Sequence, residues 1–175
     1  MDKLRWPAAI ALALALAGCD SRAAIAPAVE TGTGHAAAPG VAIVAKGERF
    51  VCTPEKVWDG DGPIHCAEGP KLRLAGIAAR EMDGSCKPGH PCPDSTAGAA
   101  RDALAALLGG ATGRTSTGHL LVEGPALQCV SEGSANGNRT AAWCTSPAAG
   151  DLSCAMAASG TVAKWPRYWR GRSCA

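Results

Sequence analysis

Cysteine placement constrains this chain more than any other feature. Nine cysteines occur in 175 residues, and all but Cys19 fall after residue 50: Cys52, Cys66, Cys86, Cys92, Cys129, Cys144, Cys154 and Cys174. An even set of this kind in an exported chain reads as a disulfide framework made in an oxidising compartment. Cys129 and Cys144 lie symmetrically about Asn136-Gly137, a strong turn dipeptide, so a hairpin sets them face to face. Cys86 and Cys92 bracket a Pro- and Gly-rich loop, Lys-Pro-Gly-His-Pro. That leaves Cys52–Cys66 near the first strands and Cys154–Cys174 tying down the C-terminus. A rival reading of Cys86–Cys92 is a zinc site using His90, but no second ligand pair is evident.

The N-terminal segment points to export. Lys3 and Arg5 supply a positive start, and a short, mostly apolar run follows from Trp6 to Gly18. The run is too short to span a bilayer and suits a signal peptide. Leu16-Ala17-Gly18-Cys19 resembles the lipobox of bacterial lipoproteins, which implies that Cys19 is lipidated and becomes the new N-terminus. An ordinary signal peptide with a chance cysteine is the alternative. The expected organisation is a signal peptide over 1–18, a flexible Ala-, Gly-, Pro- and Thr-rich tether over 19–40, and one domain over 41–175. The expected location is the periplasmic side of a bacterial cell envelope, lipid-anchored to a membrane, with the domain a monomer.

Within the domain, β-prone segments with partial alternation are expected at roughly 48–58, 63–67 and 71–77. A helix follows Ser95, read as its N-cap, with Ala97, Ala100, Leu104, Leu107 and Leu108 on one apolar stripe and Gly109-Gly110 as the stop. Strands at 119–124, 126–133 and 139–145 and a short helix over 151–159 complete the order. The pattern fits an α+β domain, mainly β with helices: a disulfide-stapled, five-stranded barrel of the oligonucleotide-binding type.

Formal net charge is only +2, so global charge gives no argument for a nucleic-acid partner. Local charge does: Lys164 to Arg172 carries four cations and three aromatics and no acid. The stretch Asp59-Gly60-Asp61-Gly62 reads as a pair of metal carboxylates, with a metal-free tight turn as the alternative. His65 and His119 read as surface residues and Trp143 as core.

Val57-Trp58-Asp59-Gly60-Asp61-Gly62, the later Arg73-Leu74-Ala75-Gly76-Ile77-Ala78-Ala79-Arg80-Glu81, and Asn136-Gly137-Asn138-Arg139 together resemble the staphylococcal-nuclease-like, or thermonuclease, family. The resemblance covers about residues 48 to 170. It implies an oligonucleotide-binding barrel that cleaves phosphodiesters of single-stranded DNA and RNA with Ca²⁺. By position it implies Arg73 and Arg139 as a phosphate clamp and Glu81 as general base or water-positioner. It also implies Asp61 as a metal ligand, Asp59 in support of it, and Tyr168 and Lys164 as substrate contacts. The chemistry asks for those types independently: guanidiniums match the equatorial oxygens of a phosphoryl group, and a carboxylate orients water.

The departures fall inside the site. Ala78 stands where the family has a second metal carboxylate, Arg80 where it has Pro, and Gly62 where it has Thr. Ca²⁺ affinity tracks the number and charge of oxygen ligands, so Ala78 predicts a weakened site. Two functions are therefore expected to compete. One is an envelope nuclease with an incomplete metal site. The other is a catalytically weak or inactive module that binds single-stranded nucleic acid or another anionic polymer.

Overall fold

The computed structural model describes residues 43–174, so the signal peptide, Cys19 and the tether lie outside the described residues. Eleven strands and three helices follow in order: β1 (Arg49–Cys52), β2 (Pro54–Val57), β3 (Ile64–Cys66), β4 (Lys71–Leu74), β5 (Ile77–Ala78), α1 (Ala97–Leu107), β6 (Ala111–Arg114), β7 (Leu120–Val122), β8 (Leu127–Ser134), β9 (Arg139–Ser146), β10 (Gly150–Asp151), α2 (Leu152–Ala158), β11 (Ala163–Lys164) and α3 (Pro166–Trp169). None of the described helices is long and apolar enough to cross a membrane.

The expected closed, five-stranded oligonucleotide-binding barrel is not what forms. The sheet runs β1-β8-β9-β4-β3-β2-β7-β6, with β10 added to β9, and ends on two strands, β1 and β6, that each have one neighbour. It is an open, mixed half-barrel of eight to nine strands in an α+β domain. Two local causes account for the difference. The first expected strand is broken at Thr53, because Pro54 has no N–H for the ladder. A register shift follows between Pro54 and Lys56, and β1 then pairs with β8 while β2 pairs with β3 and β7. The second cause is β6, a strand with all four residues exposed that extends the sheet beyond β7.

The β8–β9 hairpin is the longest pairing. Asn136 and Gly137 both adopt positive φ, 69° and 61°, as the tight connection requires. Alternation along β9 buries Thr140, Ala142, Cys144 and Ser146 and leaves Arg139, Ala141 and Trp143 on the other face. β4 lies parallel to β9, with Arg73 opposite Ala141, so Arg73 shares that second face.

Under the sheet, α1 and α2 close the core. Thr96, not Ser95, caps α1: its Oγ1 accepts from the Ala99 N–H at 3.1 Å. The buried side of α1 includes Arg101 and Ala105, whereas Leu107 is only partly covered. Asp151 caps α2 by accepting from the Cys154 N–H at 2.9 Å. The core is aliphatic, with Ile64, Leu72, Leu104, Leu127, Leu152 and Met156 fully buried and Phe50 its phenylalanine. Each contributes about 1.5–3 kcal/mol by leaving water.

Four disulfides staple the domain: Cys52–Cys66, Cys86–Cys92, Cys129–Cys144 and Cys154–Cys174. These are the expected pairs, two of them read from turn and loop spacing and two left by elimination. Cys129 and Cys144 are direct register partners across the hairpin. With Cys86 and Cys92 joined to each other, neither thiol is free for zinc.

Candidate functional site

The turn between β2 and β3 places two acids at the foot of β4. Gly60 lies flush against Ala100 of α1, with no room for a Cβ. Gly62 takes φ +116° and would also press a Cβ on the Leu72 carbonyl. Asp59 Oδ1 accepts from the Asp61 N–H at 3.1 Å, which folds the turn on itself. The Leu74 N–H donates to the Asp61 carbonyl at 2.9 Å and ties the turn to β4.

Asp61 is buried and fully engaged. Its Oδ1 lies 2.8 Å from Arg73 Nη1, and its Oδ2 accepts from the Ala79 N–H at 2.9 Å. Burial raises its carboxyl above the ordinary range, against the pull of Arg73 and the Ala79 N–H. Asp59, also buried, is pushed up to about 8, chiefly by burial and then by the neighbouring Asp61. At neutral pH Asp59 therefore holds its proton.

Above these acids opens a cavity of about 380 Å³. Arg73, Arg139, Glu81, Asp59, Asp61 and Tyr168 all line it, so the structure brings together six of the residues singled out from the sequence. Lys164 is not among the lining residues; it is exposed, with Nζ 4.9 Å from the Trp169 ring centroid. Arg139 is steadied by its own turn, donating to the Ala135 carbonyl at 3.2 Å. Arg80 points elsewhere, donating to the Pro93 and Gly84 carbonyls at 2.8 and 2.9 Å. Asp83 is exposed and accepts from the Ser85 N–H at 2.8 Å.

Lys87 was not singled out in the sequence, and His90 appeared there only as a rival zinc ligand. Lys87 and His90 reach the cavity from the Cys86–Cys92 loop, and Lys87 Nζ sits 2.9 Å from Glu81 Oε1. His90 stacks on Trp165 at 4.1 Å between centroids, and Trp165 meets Tyr168 edge-on at 4.7 Å. Burial and the nearby Arg73 and Lys87 lower the His90 pKa, so its ring is neutral at physiological pH. Trp143 is partly buried against the core, as expected, and also forms a cavity wall, packed edge-on against Trp169 and covered by Arg172. The loop's proline, glycine and paired cysteines were the only signals of these contacts.

No family model, curated protein or solved structure matches this chain. The resemblance to the thermonucleases thus rests on the quoted motifs, and the site is judged by its own chemistry.

The donor set does not fit Ca²⁺, which takes six to eight oxygens. Asp61 is held by Arg73 and Ala79, and Glu81 is paired with Lys87. Ala78, where a further carboxylate was expected, is fully buried in the β5–β11 pairing opposite Ala163. Among the described residues no group of three or more His, Cys, Asp or Glu is placed to hold a metal ion.

The charge balance instead favours an anion. Five cations line the cavity: Lys46, Arg73, Lys87, Arg139 and Arg170. Three have carboxylate partners, Lys46 with Glu132 at 3.4 Å, Arg73 with Asp61, and Lys87 with Glu81. Among the described residues Arg139 and Arg170 have none, and the remaining acid, Asp59, is neutral at pH 7. The cavity carries two uncompensated guanidiniums beside an aromatic wall.

Proposed function

We propose that this protein is a nuclease-like module, catalytically weak or inactive, that binds single-stranded nucleic acid or another flexible anionic polymer in the bacterial cell envelope. The observation that carries the reading is the pair of uncompensated guanidiniums, Arg139 and Arg170, facing one cavity with Trp165 and Tyr168. Guanidiniums bind phosphate oxygens in bidentate fashion, and aromatic faces accept bases without regard to sequence. Four disulfides agree with an oxidising compartment, and lipidation of Cys19 would anchor the domain to a membrane.

Fluorescence anisotropy with a labelled single-stranded oligonucleotide over a salt series tests it. Binding is expected to fall linearly on a log–log salt plot. Arg139→Ala and Arg170→Ala should each reduce the slope by about 0.7. Slopes identical to the parent protein's would remove both residues from the binding site.

Hydrolysis is a second reading, favoured by Glu81 sharing the cavity with Arg73 and Arg139. In it Glu81 must leave Lys87 to orient a water at the phosphorus. Loss of any strand cleavage in Glu81→Ala protein, with binding retained, would support it.

A further inference from the structure

The cavity is one end of a longer feature. Cα partners across the sheet align Arg139 with Lys71, Lys71 with His65, and His65 with Lys56. Residues in such a row project to the same face. Their chain neighbours Thr140, Leu72, Ile64 and Val57 are fully buried, while all four row members are partly exposed. A basic stripe therefore leaves the cavity at Arg139 and crosses β9, β4, β3 and β2, a distance of about 14 Å at the usual strand spacing.

The stripe is uninterrupted by acid, and among the described residues neither Lys56 nor Lys71 has a carboxylate partner. Its far end is aromatic. His65 meets His119 edge-on at 5.2 Å between centroids, and His119 lies 4.9 Å from Trp58. Burial, then Lys56, His119 and Lys71, lowers the His65 pKa to about 4. The ring is thus neutral at physiological pH, a stacking surface between two cations.

We infer that a single-stranded nucleic acid held in the cavity continues across the sheet along Arg139, Lys71, His65 and Lys56, with Trp58 and His119 receiving a base at the far end. A row of cations with one flat ring among them and two more at its end suits a strand with one phosphate and one base per unit, and a fixed row of this length spans more than one nucleotide. The inference rests on the anion-binding reading of the cavity and adds a prediction of its own: affinity must depend on strand length.

The test uses the full chain, a labelled oligothymidylate of about 15 nucleotides, and a labelled thymidine dinucleotide bearing a 5′-phosphate. Lys56→Ala/Lys71→Ala protein should bind the long strand roughly tenfold more weakly at 0.1 M salt, with a salt slope lower by about 1.4. Its affinity for the dinucleotide should match the parent's. Unchanged affinity for the long strand, while Arg170→Ala weakens both ligands, would overturn the track and leave the cavity reading standing. Proportional loss of both ligands in the double-lysine variant would also overturn it. Failure of the parent protein to bind either ligand at low salt would overturn the track and the cavity together. Matched thermal melts exclude unfolding as the cause.

Discussion

Arg73 and Asp61 form a pair in which the guanidinium Nη1 stands 2.8 Å from the carboxylate Oδ1, with both side chains about nine-tenths covered. In a calcium nuclease that carboxylate would face a metal and that guanidinium a phosphate. Here each partner answers the other. The buried acid is neutralised from within the protein.

Removing one partner should therefore cost more than removing both. Arg73→Ala leaves Asp61 buried with only the Ala79 N–H, and is expected to lower stability by about 3 kcal/mol. Arg73→Ala/Asp61→Asn should recover most of that loss. Urea unfolding of the two single variants and the double variant gives the coupling; additive losses would mean the pair is not a unit.

Asp59 predicts a pH dependence of definite sign. Its folded pKa is about 8 against an ordinary 3.8, so between these values the folded chain holds a proton that the unfolded chain releases. Asp59 stabilises at low pH, and that contribution is lost as pH rises through about 8. His65, lowered from 6.5 to about 4, acts oppositely, costing stability only below 6.5. Between about pH 6.5 and 8 the Asp59 contribution stands clear of His65. The melting temperature should fall across that interval, and Asp59→Asn should flatten the fall.

Gly60 and Gly62 are expected to be intolerant for different reasons. A methyl on Gly60 drives into Ala100 and separates the acid turn from α1, an overpacking cost of about 1–3 kcal/mol. Gly62→Ala adds left-handed strain to a collision with backbone. Gly47, which also has positive φ but open space around its Cβ position, is the control: Gly47→Ala should cost about 1–2 kcal/mol. Thermal melts should rank Gly62→Ala below Gly47→Ala.

The disulfides should separate stability from binding. Chain entropy gives about 2 kcal/mol for the short Cys86–Cys92 loop and about 3 kcal/mol for Cys154–Cys174. The short loop nevertheless carries Lys87 and His90 to the cavity. Cys86→Ser/Cys92→Ser protein should therefore melt closer to the parent than Cys154→Ser/Cys174→Ser protein, yet show altered oligonucleotide affinity. Unaltered affinity would show that the loop takes no part in binding.

What the sequence made legible was local and periodic. Asn136-Gly137 announced the hairpin and its disulfide, and the helix following Ser95 lies within a residue of its expected start. The motif spacing brought Arg73, Glu81 and Arg139 to one cavity. The sheet's extent was not legible, because β6 buries nothing and so leaves no alternation to read. The break at Thr53 hid inside a continuous β-prone run. Lys87 escaped notice, His90 was read only as a rival zinc ligand and Arg170 only as one cation of a basic stretch, because their shared place at the cavity depends on where two loops end in space. The stripe Lys71–His65–Lys56 was invisible for the same reason, being contiguous across strands and scattered along the chain.

The most direct measurement is binding and integrity of one labelled single strand, with the full chain in EDTA and in Ca²⁺. Equal affinity in both, a steep salt dependence and an intact strand are the predicted result. Binding that requires Ca²⁺, or an affinity indifferent to salt, would contradict a cavity whose charge is supplied by Arg139 and Arg170.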